Sequence, residues 1–238
     1  MNPPVLLLSC EHAVATVPQA YQSLFAPFSE LLASHRAIDF GALNIAEYLK
    51  DYFDCRLIQA NVTRLLVDCN RSTRHSECFS EVTQGLDTQS KQAILRQYYL
   101  PFREQVIDYI NTQIKAGLQV CHLSIHSFTP VLNHQIRTAE IGLLYDPRCM
   151  GEKKLARHWQ QQLKQLDASY RIRLNYPYLG VSDGFTRTLR RTFCAEHYLG
   201  IELEINQTLT QDEQSLDTLK RILANSLFKT RTANLMLS

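Results

Sequence analysis

The chain lacks several features by which whole classes of protein are recognised. Its seven cysteines are odd in number and form no CxxC pair, so we expect free, buried thiols in a reducing compartment rather than disulfides. No apolar run approaches the length of a membrane span. The apolar N-terminal stretch has no basic region before it and is too short for a signal peptide. These absences predict a soluble, cytoplasmic protein that does not associate with a membrane.

Neither sign of charge is in excess. The 25 lysines and arginines nearly balance the 23 aspartates and glutamates, which gives a formal net charge of +2. A protein that binds a nucleic-acid backbone needs a basic face, so no nucleic-acid partner is expected. The cluster "RTLRR" could bind a small anionic substrate or lie in water. The sequence does not predict an oligomeric state.

Short apolar runs alternate with longer amphipathic ones, and no linker, repeat or change of composition divides them. We expect one domain over residues 1–238. The alternation predicts an α/β fold with a largely parallel sheet whose central strands are covered on both faces. The predicted strands are "PVLLLSC", "CRLIQA", "RLLVDC", "LQVCHLSI", "EIGLLYD" and "LGIELEI". The predicted helices are "GALNIAEYLKDYF", "TQSKQAILRQYYLPFREQVIDYINTQIKAG", "EKKLARHWQQQLKQL", "FTRTLRRTFCAEH" and "SLDTLKRILANSLF". Pro101 should kink or divide the second helix.

Polar residues follow four predicted strands at the points where these strands end. They are His12, the pair Asn70 and Arg71, His126, and the pair Glu202 and Glu204. Ligands of open α/β sheets bind outside the carboxyl ends of the strands. The sequence therefore predicts a single site at one edge of the sheet.

Two of these residues suggest a catalytic zinc site. His12 and His126 with one carboxylate would hold Zn²⁺ and leave its fourth position for water, although no HExxH signature occurs. The stretch "SHRAIDFGA" offers His35 and Asp39 as further ligands. From the residues alone, Asp39 is slightly better interpreted as the N-cap of the following helix. Glu11 ranks lower, because its side chain would point away from that of His12 if the strand continued.

The remaining candidates each have an ordinary structural interpretation. Arg71 and Asn70 could hold a carboxylate through charge-assisted hydrogen bonds, or they could form a surface salt bridge. Glu202 and Glu204 alternate with apolar residues and so share one face of their strand. Glu204, nearer the strand's end, is the better general base, while Glu202 could pair with an arginine.

The loop "NYPYLGVSDGFTRTLRR" leads into a helix whose N-terminus could bind an anion. Asp183 and Arg187 could take part in this, or the loop could be an ordinary connection. Arg137 could polarise a substrate carbonyl, or lie in solvent. Ser127 is a candidate for substrate binding. A covalent mechanism through Ser124, Ser127 or Cys10 is weakly supported, since no GxSxG motif occurs.

These motifs resemble the N-formylglutamate amidohydrolase family over nearly the whole chain. The matching stretches, in the family's order, are "SCEHA" followed by "VP", "HRAIDFGA", "TRLLVDCNRS", "HLSIHSFTP", "EIGLLYDPR", "NYPYLGVSDGFTRTLRR" and "GIELEINQ". The family is related to the zinc-dependent exopeptidases. The element "VDCNR" resembles their substrate-carboxylate-binding motif, and "ELEIN" lies where they place the catalytic glutamate.

The resemblance implies a three-layer αβα fold of the zinc-exopeptidase (phosphorylase/hydrolase-like) type with a mixed, mostly parallel sheet. It implies a divalent metal, zinc foremost, held by His12, His126 and Asp39, with Glu204 as general base. Two departures stand out. The HxxE pair of the exopeptidases is missing, since Ala15 stands three residues after His12, and Asn206 replaces an arginine common in the family.

The expected activity is metal-assisted hydrolysis of the amide bond of a small, carboxylate-bearing N-acyl amino acid such as N-formylglutamate. The metal would polarise the amide carbonyl and activate a water, and Glu204 would accept its proton. A first alternative is a zinc-dependent carboxypeptidase or amidase acting on peptides or cell-wall fragments. A second alternative is a non-catalytic module that binds a small molecule.

Overall fold

A six-stranded sheet lies at the centre of the computed structural model, which describes residues 3–233. Its strands are β1 (Val5–Cys10), β2 (Arg56–Gln59), β3 (Val120–Phe128), β6 (Ile141–Leu144), β7 (Ile172–Leu174) and β8 (Tyr198–Asn206), while β4 (Val131–Leu132) and β5 (Gln135–Ile136) form a separate hairpin. The strand order is β2-β1-β3-β8-β6-β7. Strands β2, β1, β3 and β8 run parallel, whereas β6 runs antiparallel to β8 and parallel to β7.

Helices cover both faces of the sheet. They are α1 (Gln22–Phe25), α2 (Ser29–Leu32), α3 (Ala42–Phe53), α4 (Thr88–Ile94), α5 (Leu100–Lys115), α6 (Met150–Leu166), α7 (Phe185–Thr192) and α8 (Glu213–Thr232), with 3-10 turns at Gln19–Tyr21, Ala26–Phe28 and Gln207–Thr210. On one face, α3, α6 and α8 bury an apolar cluster around Trp159. On the other, α4, α5 and α7 bury a second cluster that contains Phe102 and Phe185. The expected three-layer architecture with a mixed, mostly parallel sheet is confirmed.

The prediction of a strand at "RLLVDC" is wrong, because residues 64–69 form turns outside the sheet. Its apolar residues Leu65, Leu66 and Val67 are nevertheless buried in the second cluster. The side chains of Ser80 and Thr83 donate to the carbonyls of Leu65 and Leu66, which therefore have hydrogen-bond partners without a neighbouring strand. These residues are apolar because their positions are buried. A short apolar run therefore does not distinguish a strand from a buried loop.

Pro101 divides the long helix as predicted. Residues Leu95–Tyr99 form a π-helical turn between α4 and α5, and Pro101 lies in the first turn of α5. Proline has no N–H to donate to the preceding turn, and the π-helical turn before it separates α4 from α5. Three strands and the two short helices α1 and α2 were not predicted from the sequence. The hairpin β4–β5 and the strand β7 have only two or three residues per strand, too few for a periodic pattern.

All seven cysteines are free thiols, as expected. Cys10, Cys69, Cys78 and Cys121 are buried, whereas Cys194 is exposed. Among the helices formed by residues 3–233, we find none with both the length and the hydropathy needed to cross a bilayer.

Candidate active site

Three parallel neighbours, β1, β3 and β8, deliver polar side chains to the same edge of the sheet. His12 lies two residues beyond the end of β1, and His126 lies near the end of β3. On β8, Glu204 is the register partner of His126. Because the strands run in the same direction, their carboxyl ends meet at one edge, where open α/β sheets bind ligands. The predicted convergence of these three residues is observed.

Asp39 lies between the two imidazoles. Its Oδ2 is 3.2 Å from Nδ1 of His12 and 2.9 Å from Nδ1 of His126. One possible ligand atom from each of these three buried residues lies within 4.8 Å of the other two. The backbone N–H of Asp39 donates to the carbonyl of His12, which ties the loop to the end of β1.

The alternative role of Asp39, as a helix N-cap, is not what the structure shows. Gly41 is the N-cap of α3, and no side chain caps that helix. Gly41 adopts a left-handed φ of 77°, and a Cβ at this position would lie 2.6 Å from Thr210. The glycine therefore lets the loop turn tightly and leaves the Asp39 carboxylate to face the histidines.

A second carboxylate, missed by the sequence analysis, supports His12. Asp68 Oδ1 lies 2.8 Å from Nε2 of His12, and its Oδ2 accepts from Arg64 at 2.9 Å. Arg64 also donates to Oδ1 of Asp39 at 3.3 Å, so it links the two acids. Asp68 belongs to the quoted "VDCNR" stretch, and its position in that motif was the available signal. The prediction of a strand over residues 64–69 favoured Asn70 and Arg71, which follow that segment, over Asp68 within it.

These contacts keep both acids ionised. Burial alone would raise the pKa of the Asp39 carboxyl, but the two imidazoles and their hydrogen bonds outweigh it and hold that pKa well below its usual range. Burial likewise opposes ionisation of Asp68, and His12 and Arg64 reverse it, so its pKa is also strongly lowered.

The donor set fits a divalent metal. Two imidazole nitrogens and one carboxylate oxygen are the protein ligands of many catalytic zinc sites, which keep a further position open. Asp68 is placed behind His12 in the way that carboxylates orient metal-binding histidines. Glu11 does not belong to this set: it lies beneath His126, with its Oε2 3.4 Å from Nε2 of that ring.

A cavity of about 240 Å³ opens over the cluster. Nine residues singled out in the sequence line it: His12, Asp39, Asn70, Arg71, His126, Ser127, Asp183, Glu202 and Glu204. Arg64, Tyr178, Leu179 and Ser182 complete its wall. An outer cavity of about 580 Å³ adjoins it, and Arg64, Arg71 and Tyr178 line both.

Glu204 is buried, with 6% of its surface exposed. Burial raises the pKa of its carboxyl to about 8, opposed by His126 and reinforced by Asp39 and Glu202. Across residues 3–233, its Oε2 has no hydrogen-bond partner. Glu202, on the same face of β8, accepts a hydrogen bond from the Thr186 hydroxyl. The two carboxylates therefore differ. Glu202 is hydrogen-bonded to the protein, whereas one oxygen of Glu204 is available to accept a hydrogen bond or a proton.

Asn70 and Arg71 are fixed by the loop that precedes α7. Asn70 Oδ1 accepts from the backbone N–H of Phe185 at 2.7 Å, and Arg71 Nη1 donates to the carbonyl of Asp183 at 2.7 Å. Asp183 accepts from the backbone N–H of Ser72 at 3.0 Å. Both predicted clamp residues reach the cavity, although they follow a turn and not a strand.

Besides Glu11, three candidates lie outside the inner cavity. Arg137 donates to the hydroxyl of Tyr178 at 3.0 Å and stacks on that ring. It therefore contacts a residue that lines the inner cavity but does not line the cavity itself. Arg187, on α7, does not line either cavity, and His35 lines only the outer one. Asn206 donates to the carbonyls of Arg137 and Ala139, so it holds a neighbouring segment in place.

The covalent alternatives fit this geometry poorly. Burial raises the pKa of the Cys10 thiol well above its usual value, with Glu11 and Asp39 adding to the effect. Ser124 donates its hydroxyl hydrogen to Glu11, and Ser127 accepts from Gln207 at 3.1 Å.

Comparison with protein-family models matches residues 5–210 to N-formylglutamate amidohydrolase. The chain belongs to the N-formylglutamate amidohydrolase family. A gene product of Agrobacterium tumefaciens of known crystal structure is 32% identical to this family member, with a TM-score of 0.83 over 95% of this chain and 90% of that one. The N-formylglutamate amidohydrolase of Ralstonia eutropha shares 16% identity and the fold, with a TM-score of 0.72 over 97% and 94% of the two chains. Comparison with curated proteins gives no match.

Proposed function

We propose that this member of the N-formylglutamate amidohydrolase family hydrolyses the amide bond of a small N-acyl amino acid in a reaction that depends on a divalent metal, zinc foremost. The observation that carries the proposal is the placement of Glu204 beside His12, Asp39 and His126. Glu204 lines the same cavity of about 240 Å³ as these three residues, and one of its carboxylate oxygens is buried with no hydrogen-bond partner among residues 3–233.

His12, Asp39 and His126 would hold the ion through the three atoms that lie within 4.8 Å of one another. When bound, a divalent metal supplies a Lewis acid for the amide carbonyl and lowers the pKa of water. Asp68 keeps a hydrogen on Nε2 of His12, so Nδ1, the nitrogen that faces Asp39, is the one that would bind the ion.

Glu204 acts as the general base and then as the general acid. It accepts the proton of the attacking water and returns it to the nitrogen of the leaving amine. A carboxyl whose pKa burial raises to about 8 both takes and gives a proton near neutral pH. Thr186 keeps Glu202 occupied, so the two glutamates have separate tasks.

Arg71 and Asn70 hold the carboxylate of the substrate. Nη1 of Arg71 and Oδ1 of Asn70 are bound to the loop before α7, which fixes both side chains in position. Nη2 of Arg71 lies 3.9 Å from the exposed carboxylate of Glu77, too far for a hydrogen bond, so Nη2 and the amide hydrogens of Asn70 can donate to the substrate. A substrate whose carboxylate is held here has its scissile bond oriented toward Glu204 before the reaction begins.

Metal removal and restoration test this function directly. The purified protein is dialysed against a chelator, assayed with N-formylglutamate and N-acetyl amino acids, and assayed again after Zn²⁺ is added. We expect hydrolysis to disappear and to return with the metal. A chelated protein that stays fully active would refute the metal dependence, and inactivity toward the whole panel would refute the substrate class.

A longer substrate is a second candidate, and the outer cavity favours it. Its volume of about 580 Å³ exceeds that of the inner cavity, and it contains the exposed residues Gln84 and Leu132. A peptide or cell-wall fragment could extend past Tyr178 into this space. Gln84→Trp would narrow the outer cavity far from the cluster. If long substrates are used, this variant loses activity toward them and keeps activity toward N-formyl amino acids.

A further inference from the structure

A buried carboxylate lies behind His126, outside the cavity. Glu11 directly follows β1, and only 1% of its surface is exposed. Two serine hydroxyls bind its two oxygens, Ser9 at Oε1 and Ser124 at Oε2, both at 2.7 Å. Over residues 3–233, no lysine or arginine forms an ion pair with it, whereas Nε2 of His126 lies 3.4 Å away. A carboxylate is costly to bury unless it is hydrogen-bonded and paired, so this arrangement calls for a role.

The direction of these hydrogen bonds follows from the number of hydrogens. A serine hydroxyl has one hydrogen, and a carboxylate can only accept, so both serines give their hydrogen to Glu11. The oxygen of Ser124 also lies 2.8 Å from Nε2 of His126. This oxygen can then only accept, and the hydrogen of that contact must belong to Nε2 of the histidine.

The other serine begins a separate branch with the same direction. The oxygen of Ser9 lies 2.8 Å from Nε2 of His122, so His122 donates to it. Nδ1 of His122 in turn lies 2.8 Å from the hydroxyl of Tyr198 and accepts its hydrogen. Both branches donate toward Glu11, and only the Ser124 branch ends on a residue of the ligand cluster.

We infer that Glu11, acting through Ser124, is a positioning residue that keeps a hydrogen on Nε2 of His126 and so makes Nδ1 the nitrogen that binds the ion. This inference rests on the proposed function, because it assigns a task to a ligand of the proposed metal. Nδ1 of His126 is the atom that lies 2.9 Å from Asp39. Each histidine of the cluster thus has a carboxylate behind it, Asp68 directly for His12 and Glu11 through a serine for His126.

The two branches supply a matched pair of variants. Ser124→Ala and Ser9→Ala each remove one hydroxyl that donates to Glu11, and both serines are fully buried. Both changes should lower the melting temperature, because each leaves one carboxylate oxygen short of a donor. Only Ser124→Ala breaks the connection to His126. Ser124→Thr keeps the hydroxyl and serves as the conservative variant.

Zinc affinity is the decisive measurement, made on the metal-free full chain by competition with a chromophoric chelator. We expect Ser124→Ala to bind Zn²⁺ about 10- to 100-fold more weakly than the wild type, as loss of a group that orients a metal ligand does elsewhere. Ser9→Ala should bind Zn²⁺ as the wild type does, and Ser124→Thr should retain most of the affinity. Ring ¹⁵N spectra of the zinc-loaded wild type should show His126 bound through Nδ1 and protonated at Nε2.

Three results would overturn the inference and leave the proposed function intact. The first is an active Ser124→Ala enzyme with wild-type zinc affinity. The second is an equal loss of affinity in the Ser9 and Ser124 variants, which would show a general structural effect. A ¹⁵N spectrum with Nε2 as the bound nitrogen would also overturn it. A wild type that binds no Zn²⁺ would refute the proposed metal dependence together with this inference.

Discussion

His126 on β3 and Glu204 on β8 are register partners across a parallel strand pair. A ligand candidate and a base candidate are therefore held at a spacing set by the backbone of the sheet and not by a loop. Backbone pairing of this kind fixes the two side chains more rigidly than loop residues could, which favours a catalytic site. The following predictions test that arrangement and the contacts around it.

Glu204→Gln should separate catalysis from metal binding. The amide keeps the size of the side chain but cannot take a proton, so kcat should fall by about 10²–10⁴-fold, the usual contribution of a general base. Because Glu204 is not in the ligand cluster, the zinc content per chain should stay the same. Steady-state kinetics and elemental analysis of the same preparation measure both quantities. Retention of wild-type kcat would exclude Glu204 as the base.

Asp68→Asn should weaken metal binding through His12. The amide can still accept from His12, but the negative charge that pairs with Arg64 and polarises the ring is lost. We expect zinc affinity to fall by about 10- to 100-fold. Asp108→Asn, an exposed position on α5, is the matched control and should bind zinc as the wild type does. Equal affinities for the two variants would contradict the role of Asp68.

Arg71→Ala should raise KM more than it lowers kcat for substrates with a free carboxylate. A hydrogen bond to a charged partner contributes about 1.5–3 kcal/mol, or roughly 10- to 100-fold in KM. With substrates whose carboxylate is converted to an amide, wild type and variant should differ little. Arg187→Ala is the control, since this arginine of α7 lines neither cavity. A stronger effect from Arg187→Ala would reverse the assignment.

Glu152→Ala should destabilise the fold without affecting the metal site. The fully buried carboxylate accepts from Nε of Arg190 and from the backbone N–H groups of Gly200 and Asp146. Removing one partner of a buried ion pair costs about 3–5 kcal/mol, because the other charge stays buried and unpaired. Urea unfolding measures the change, and Glu196→Ala, at an exposed position, should leave the free energy of unfolding unaffected. A small effect would mean that Arg190 is solvated.

The strand ends, and with them most of the cavity, could be predicted from the sequence. His12, His126 and Glu204 follow or end apolar runs that do form neighbouring parallel strands, so the argument from strand ends applied to them. Asp39 needed the family resemblance, because an aspartate before a helix is, from the residues alone, slightly better interpreted as an N-cap. The structure shows its place beside both imidazoles, and its role as a ligand stays a prediction.

Asp68 and Arg64 could not be placed by the same argument. The segment that carries them is apolar because it is buried under the helices. It forms turns, in which buried and exposed residues do not alternate as they do in a strand. The hydrogen-bond network behind His126 could not be predicted from the sequence either. It joins Ser9, Glu11 and Ser124 from two strands, and its contacts depend on their register, which a single sequence does not specify. Arg137 and Arg187 were also expected to contact substrate, because the local sequence does not show whether an arginine lines a cavity or lies beside it.

The order of the strands has a consequence for synthesis on the ribosome. His12, Asp39 and His126 all come from the first 126 residues, whereas Glu204 comes from β8, the last strand of the sheet to be made. Strands β1 and β3 pair with each other directly, so the histidines can meet while β8 is still inside the exit tunnel. Under the proposed function, a nascent chain would therefore hold all three candidate metal ligands before it carries the general base, and hydrolysis would begin only after β8 has joined the sheet.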